Sequence, residues 1–272
     1  MAPCCFDVAS VPHTTTAAEG LEALAHAGWP LALAGERRRA GLTWRASLGG
    51  WGERCWLEGR GPGPHRLPPW NLAAAEADVR RHAVREALEV LREAAARGAR
   101  HHLLPAGWAL AGHPGLSEAV SVPRALDQLC RSLDTLAELA DARGIGLGVM
   151  LEGTGSNASL GTRWDDVLTV LGRVAAPPLG IIVDLDALWQ RADHAEADPE
   201  AQLRALAPLA HGLRLTAVKE ALKAPEGGPL RLLRTLPTPP PPLLLAPATP
   251  PGEDLRGVRE AIEALAATGD RP

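Results

Sequence analysis

Short aliphatic runs alternate along this chain with longer stretches in which apolar residues return every three or four positions. The short runs are CFDVAS (5–10), PLALAG (30–35), HHLLP (101–105), GLGVML (146–151), LGIIV (179–183), GLRLTAV (212–218) and PPLLLAP (241–247). Their length and their Gly and Pro borders are those of strands buried on both faces, which belong to parallel sheets. The third strand is the least defined; CWLEG (55–59) and part of LTWRASL both fit, with the Gly- and Pro-rich stretch 60–70 as a loop.

Between these runs the helical period takes over. TTAAEGLEALAHAG ends at Gly28, and a long helix is predicted from Ala74 to Arg97 on Val79, Ala83, Ala87, Val90 and Leu91, with Gly98 stopping it. A second long helix is predicted over Val122 to Arg143, with Pro123 near its start and Gly144 past its end. Arg163 to Val174, Glu200 to Leu209, PLRLLRTL and DLRGVREAIEALAATG supply the rest. Eight strand–helix pairs in one chain of 272 residues predict an α/β protein with a single (β/α)8 TIM barrel over 1–272, since such barrels take about 250 residues. The Pro run at 237–242 then reads as a stiff entry to strand eight rather than a domain linker, because too little chain follows it to fold alone.

Composition narrows the options. The apolar fraction is 46%, yet there is one Phe and no Tyr, so the core is expected to be aliphatic with help from eight Trp. Net charge is −4 and the only lysines are Lys219 and Lys223, so whole-chain basicity does not recruit nucleic acid. Cys4, Cys5, Cys55 and Cys130 lack paired-motif spacing and are expected as free thiols in a reducing compartment. No apolar run of the roughly 18 residues a membrane span needs is present, and no basic stretch followed by an apolar one opens the chain. A cytoplasmic protein without membrane contact is expected.

The chemistry sits where two strands stop. Glu152 and Asp184 end strands five and six, and carboxylates at the C-terminal ends of barrel strands face the mouth where active sites lie. Two acids there suggest a metal site or a general base; the simpler alternative is that each caps the following helix. Asp186 lies two residues on and would share the face of Asp184 if the strand continued, or else cap the next helix. Lys219 and Glu220, just past strand seven, form a polar pair for the pocket or an exposed ion pair. Of His101 and His102, in one strand, only one can point inward.

The segments HRLPPWNLAAAEADVRRHAVREALEVLREAAARGAR, LLPAG, LEGTGSNASLGTRWDDVLTVLGRV and IIVDLDAL together resemble endonuclease IV, the metal-dependent apurinic/apyrimidinic endonuclease (AP endonuclease family 2) of the wider xylose isomerase-like barrels. The resemblance covers about residues 60 to 190 well. It implies a ring of His, Asp and Glu holding three zinc ions, phosphodiester hydrolysis 5′ to abasic sites in DNA, and a role in base-excision repair. Carried over by position, His65 (with Asn71 and Leu72 following), Glu152 and Asp184 keep a donor. Leu104 or Pro105, Ala187, Ala217 and Ala246 stand where the family has other ligands.

One His and a few carboxylates can hold at most one divalent ion, zinc if any, through His65, Glu152, Asp184 and a candidate fourth ligand, Asp186. Glu152 is the expected catalytic group. Impaired or lost catalysis is therefore expected. Arg37, Arg38, Arg39 and Asn71 are the candidate nucleic-acid contacts, with weak binding to abasic DNA. The alternatives are a noncatalytic binding barrel and a sugar isomerase or epimerase of the wider group.

Overall fold

The computed structural model of the protein describes residues 4–7, 31–34, 56–58, 71–96, 101–109, 121–151, 159–195, 198–215, 228–236 and 243–245. Eight strands are placed, in chain order β1 (Cys4–Asp7), β2 (Leu31–Ala34), β3 (Trp56–Glu58), β4 (His101–Pro105), β5 (Gly146–Leu151), β6 (Leu179–Asp184), β7 (Ala210–Leu215) and β8 (Leu243–Leu245). Every neighbouring pair is parallel, and β8 returns to β1 with Cys5 opposite Leu244, which closes the barrel. Closure removes both sheet edges, leaving no strand with an unpaired side. The expected TIM barrel is thus the fold, and its third strand comes from CWLEG rather than LTWRASL.

Five α-helices lie among the described residues: α1 (Ala77–Ala96), α2 (Val122–Arg143), α3 (Trp164–Val174), α4 (Leu185–Ala195) and α5 (Pro199–Leu206). In α1, Ala83, Ala87 and Leu91 are fully or almost fully buried at a spacing of four, the stripe its sequence predicts. In α2, Pro123 sits in the first turn, where its missing N–H costs nothing. Gly144 ends α2 at φ 65°, its N–H donating to the carbonyls of Ala140 and Asp141. The buried face between carries Ala125, Leu129, Leu133, Leu136 and Ala140.

Three details differ from the sequence pattern. Two helices rather than one separate β6 from β7, because Pro199 restarts the chain behind Asp198, whose carboxylate accepts from the Glu200 N–H at 2.9 Å. The run PLRLLRT is a 3-10 helix, Pro229–Thr235, not an α-helix. Strand seven begins at Ala210, two residues earlier than predicted, through a register shift against β6 between Ile181 and Ile182. The predicted helices at 15–28 and 254–269 lie outside the described residues.

Strand parity separates two layers. Leu147, Val149, Leu151, Ile181, Val183, Leu213 and Leu215 join the helix side chains in one continuous core cluster. Leu103, Met150 and Ile182, of the other parity, are equally buried but stand apart from that cluster, and so line the barrel interior. Gly148 makes room there: a Cβ on it would meet Ile182 Cδ1 at 2.5 Å. At the N-terminal end of the interior, His101 and His211 approach edge to face, ring centroids 6.1 Å apart, beside Gly146 and Gly180. His101 is therefore the inward member of its pair, and His102 is fully buried on the opposite face of β4. No helix among the described residues is long and apolar enough to cross a membrane.

Candidate functional site

The described part of the C-terminal mouth is built around the ends of β5, β6 and β7. Asp184 is the last residue of β6 and lies opposite Arg214 of β7 in the parallel register. The chain turns into α4 at the next residue, so the strand does not continue as far as Asp186. Asp184 Oδ1 accepts the N–H of Ala187 at 2.9 Å, the third residue of α4, and so caps the helix. Asp184 Oδ2 stands 3.9 Å from Nη1 of Arg214, and the same Nη1 lies 3.4 Å from Met150 Sδ on β5. One guanidinium thus spans the ends of three neighbouring strands.

Electrostatics at Asp184 are a contest. Burial pushes its carboxyl up to about 6, and the charge of nearby Asp186 adds to that; the amides of Ala187 and Asp186 and the Arg214 cation pull the other way without winning. Asp184 and Asp186 are 7% and 8% exposed, too little for water to solvate either carboxylate fully. At the far end of the barrel, burial depresses the His211 imidazole, opposed by a hydrogen bond to the Leu147 backbone.

These residues do not fit a metal centred on Asp184. One of its oxygens is committed to an amide and the other faces a fixed cation. A dication on Oδ2 would lie roughly 6 Å from the guanidinium, a repulsion on the order of 5 kcal/mol at the effective dielectric of such sites. Ala187, in the first turn of α4, contributes only its backbone N–H. Among the described residues no group of three or more His, Cys, Asp and Glu is arranged to hold an ion.

The other sequence candidates divide in two. His65, Glu152, Arg37, Arg38, Arg39, Lys219 and Glu220 lie outside the described residues, as do Ala217 and Ala246. β5 ends at Leu151 opposite Val183, so the chain leaves β5 at the end of the barrel that carries Asp184. Asn71 is described, and its amide serves the backbone: Oδ1 accepts from Ala73 N–H at 3.0 Å and Trp108 N–H at 3.1 Å, and Nδ2 donates to the Trp108 carbonyl at 2.9 Å. Trp108 in turn bridges to Ser159, and Leu160 N–H donates to the Gly107 carbonyl at 2.9 Å. The loops before α1, after β4 and before α3 are stitched along one rim.

Arg214 is the mouth residue that the strand pattern did not single out. Its signal was present: an arginine inside the aliphatic run GLRL, two residues from a glycine of the same parity, is a charge directed into a barrel.

Residues 54–270 match the family model described as xylose isomerase-like TIM barrel. No curated protein matches the sequence. Among solved structures, the 3-keto-D-glucoside 4-epimerase of E. coli is similar at 13% identity, TM-score 0.67, over 98% of this chain and 99% of that one. D-psicose 3-epimerase of Clostridium cellulolyticum H10 follows at 10% identity and TM-score 0.62, over 99% and 96%. A xylose isomerase domain protein of Alicyclobacillus acidocaldarius reaches 18% identity and TM-score 0.61, over 98% and 99%. At these identities the likeness is one of fold; the first two of these neighbours are sugar epimerases. The barrel, its closure and the family model agree: this chain belongs to the xylose isomerase-like TIM barrel family.

Proposed function

We propose that this chain is a sugar isomerase- or epimerase-like barrel that takes a small hydroxylated carbonyl compound of the ketose type at its C-terminal mouth. The observation that carries the reading is the Asp184–Arg214 pair, a buried carboxyl and a guanidinium side by side at the inner ends of β6 and β7. An acceptor beside a donor suits the neighbouring oxygens of a sugar. Isomerisation and epimerisation next to a carbonyl both begin with removal of a proton from carbon to a base, with negative charge gathering on the carbonyl oxygen. A carboxyl raised to about 6 is suited to the proton transfer, because it is part-protonated near neutral pH. A cation beside the oxygen stabilises the charge that develops.

The structural neighbours named 3-keto-D-glucoside 4-epimerase and D-psicose 3-epimerase support this reading over hydrolysis of abasic DNA. The test is proton exchange. Ketoses and 3-keto glycosides incubated with the protein in heavy water are expected to take up deuterium beside the carbonyl, seen by NMR, and Asp184→Asn is expected to slow this by about 100-fold or more. Ligand-induced melting shifts without exchange would mark a noncatalytic binding barrel. Neither response, with nicking of abasic duplex that Asp184→Asn abolishes, would restore the endonuclease reading.

A further inference from the structure

We infer that Arg214 supplies from within the chain a fixed positive charge beside Asp184 at this mouth, so that ligand oxygens are engaged there by a guanidinium in place of a divalent ion. The ligand half of this inference rests on the carbohydrate reading above; the charge half stands on geometry alone. Asp184 and Arg214 are register partners on adjacent strands, so their Cα positions are fixed by the barrel's own hydrogen bonding and not by a flexible loop. Arg214 has a side chain only 13% exposed, and its Nη1 reaches both Asp184 Oδ2 and Met150 Sδ. It is held from two sides.

The surroundings select this cation. A delocalised, weakly hydrated guanidinium tolerates a thioether neighbour and partial burial, whereas a hard dication requires several oxygen or nitrogen donors to replace its water. Here Asp184 has one oxygen on the Ala187 amide, and Ala187 has no side-chain donor. The guanidinium also keeps its charge at every physiological pH and offers its donors in a fixed fork, the geometry that reads two adjacent oxygens of a hydroxy-carbonyl unit. The substitution therefore exchanges an ion that can be lost to a chelator for one that cannot.

Metal content and melting temperature test it on the purified full chain. Wild-type protein is expected to carry no stoichiometric divalent metal by elemental analysis, and its melting temperature is expected to be the same in a chelator as in Mg²⁺, Mn²⁺ or Zn²⁺. Arg214→Met removes this cation from beside Asp184. That variant is expected to gain a rise in melting temperature with divalent ions, and the double variant with Asp184→Asn to lose the rise again. With D-fructose and D-tagatose as probes, wild-type binding is expected to be indifferent to the chelator, Arg214→Met to weaken it about tenfold or more, and Arg214→Lys to recover part.

About one metal per wild-type chain, absent from Asp184→Asn, overturns the inference. Should Arg214→Met fail to fold, the metal content of the wild-type protein still decides. Failure of either ketose to bind the wild-type protein under any metal condition would remove the carbohydrate reading and the ligand half of the inference with it, while the charge half is judged by the metal measurements.

Discussion

Asn71 closes its side-chain amide on both backbone groups of Trp108, 37 residues further along the chain. Its Oδ1 also accepts the Ala73 N–H, so one small side chain fixes the entry to α1 and the exit from β4 at once. Gly107 completes the arrangement: its φ is 84°, and a Cβ there would meet Asn71 Oδ1 at 2.5 Å. Asn71→Ala leaves the Trp108 N–H and carbonyl part-buried without this partner. A loss of about 2 kcal/mol is expected in urea unfolding. Asn71→Asp keeps the acceptor but sets an oxygen against the Trp108 carbonyl, and should not restore stability.

Two glycines are required for different reasons. Gly144 has φ 65° with no atom within 4 Å of an added Cβ, so Gly144→Ala carries only backbone strain, about 1 kcal/mol, and Gly144→Asn is expected to recover part of it. Gly180 is crowded instead: an added Cβ would lie 2.6 Å from the Leu209 carbonyl oxygen and 2.5 Å from His211 Cδ2. Gly180→Ala is expected to cost about 2 kcal/mol or more, with no rescue by Asn. Thermal melts of the alanine and asparagine variants at both positions separate the two mechanisms.

The Asp184 carboxyl gives a signed pH dependence. Its ordinary value is 3.8 and its folded value about 6, so between these the folded protein holds the proton more tightly than the unfolded chain does. Its contribution to stability therefore falls as pH rises from about 4 to about 6, and stays at the lower level above that. Relative to Asp184→Asn, wild-type protein is expected to lose up to about 3 kcal/mol between pH 4 and pH 7. His211 acts the other way: its folded value is depressed below 6.5, so it costs stability as pH falls through that region. The difference between wild type and Asp184→Asn isolates the carboxyl, and an equal slope in both would refute its assignment.

The helix cap can be measured apart from the charge. Asp184→Ala removes the acceptor for the Ala187 N–H, whereas Asp184→Asn keeps one. The alanine variant is expected to be less stable than the asparagine variant by about 1 kcal/mol at pH 5. Hydrogen exchange at the Ala187 amide should accelerate in the alanine variant alone.

DNA offers a discriminating control. On the carbohydrate reading, duplex containing an abasic site is expected to bind no more tightly than intact duplex, and any weak binding through Arg37, Arg38 and Arg39 should fall steeply with salt. A clear preference for the abasic duplex at moderate salt, in a fluorescence titration, would count against the reading.

The alternation of aliphatic runs with helical periodicity was enough to specify the barrel. Buried parallel strands and one-faced helices leave that mark on any sequence, because burial is local in its demands even when the sheet is not. Pro123, Gly144 and the stripe through Ala83, Ala87 and Leu91 were legible for the same reason. Composition and order also placed Asp184 at the end of a strand, and the helix-capping alternative weighed for it is what its Oδ1 does.

Pairing across strands was not legible. That Asp184 faces Arg214, that His211 is turned in above Gly146 and Gly180, and that the amide of Asn71 is taken up by Trp108 all depend on register. Register in a closed barrel is set by the whole ring, including the shift between Ile181 and Ile182. A strand pattern repeats every two residues and says which face a side chain takes; it carries no information on which residue of the neighbouring strand it meets. The sequence thus determined the barrel and the carboxylate at its mouth, and only the closed structure decided that an arginine stands beside that carboxylate.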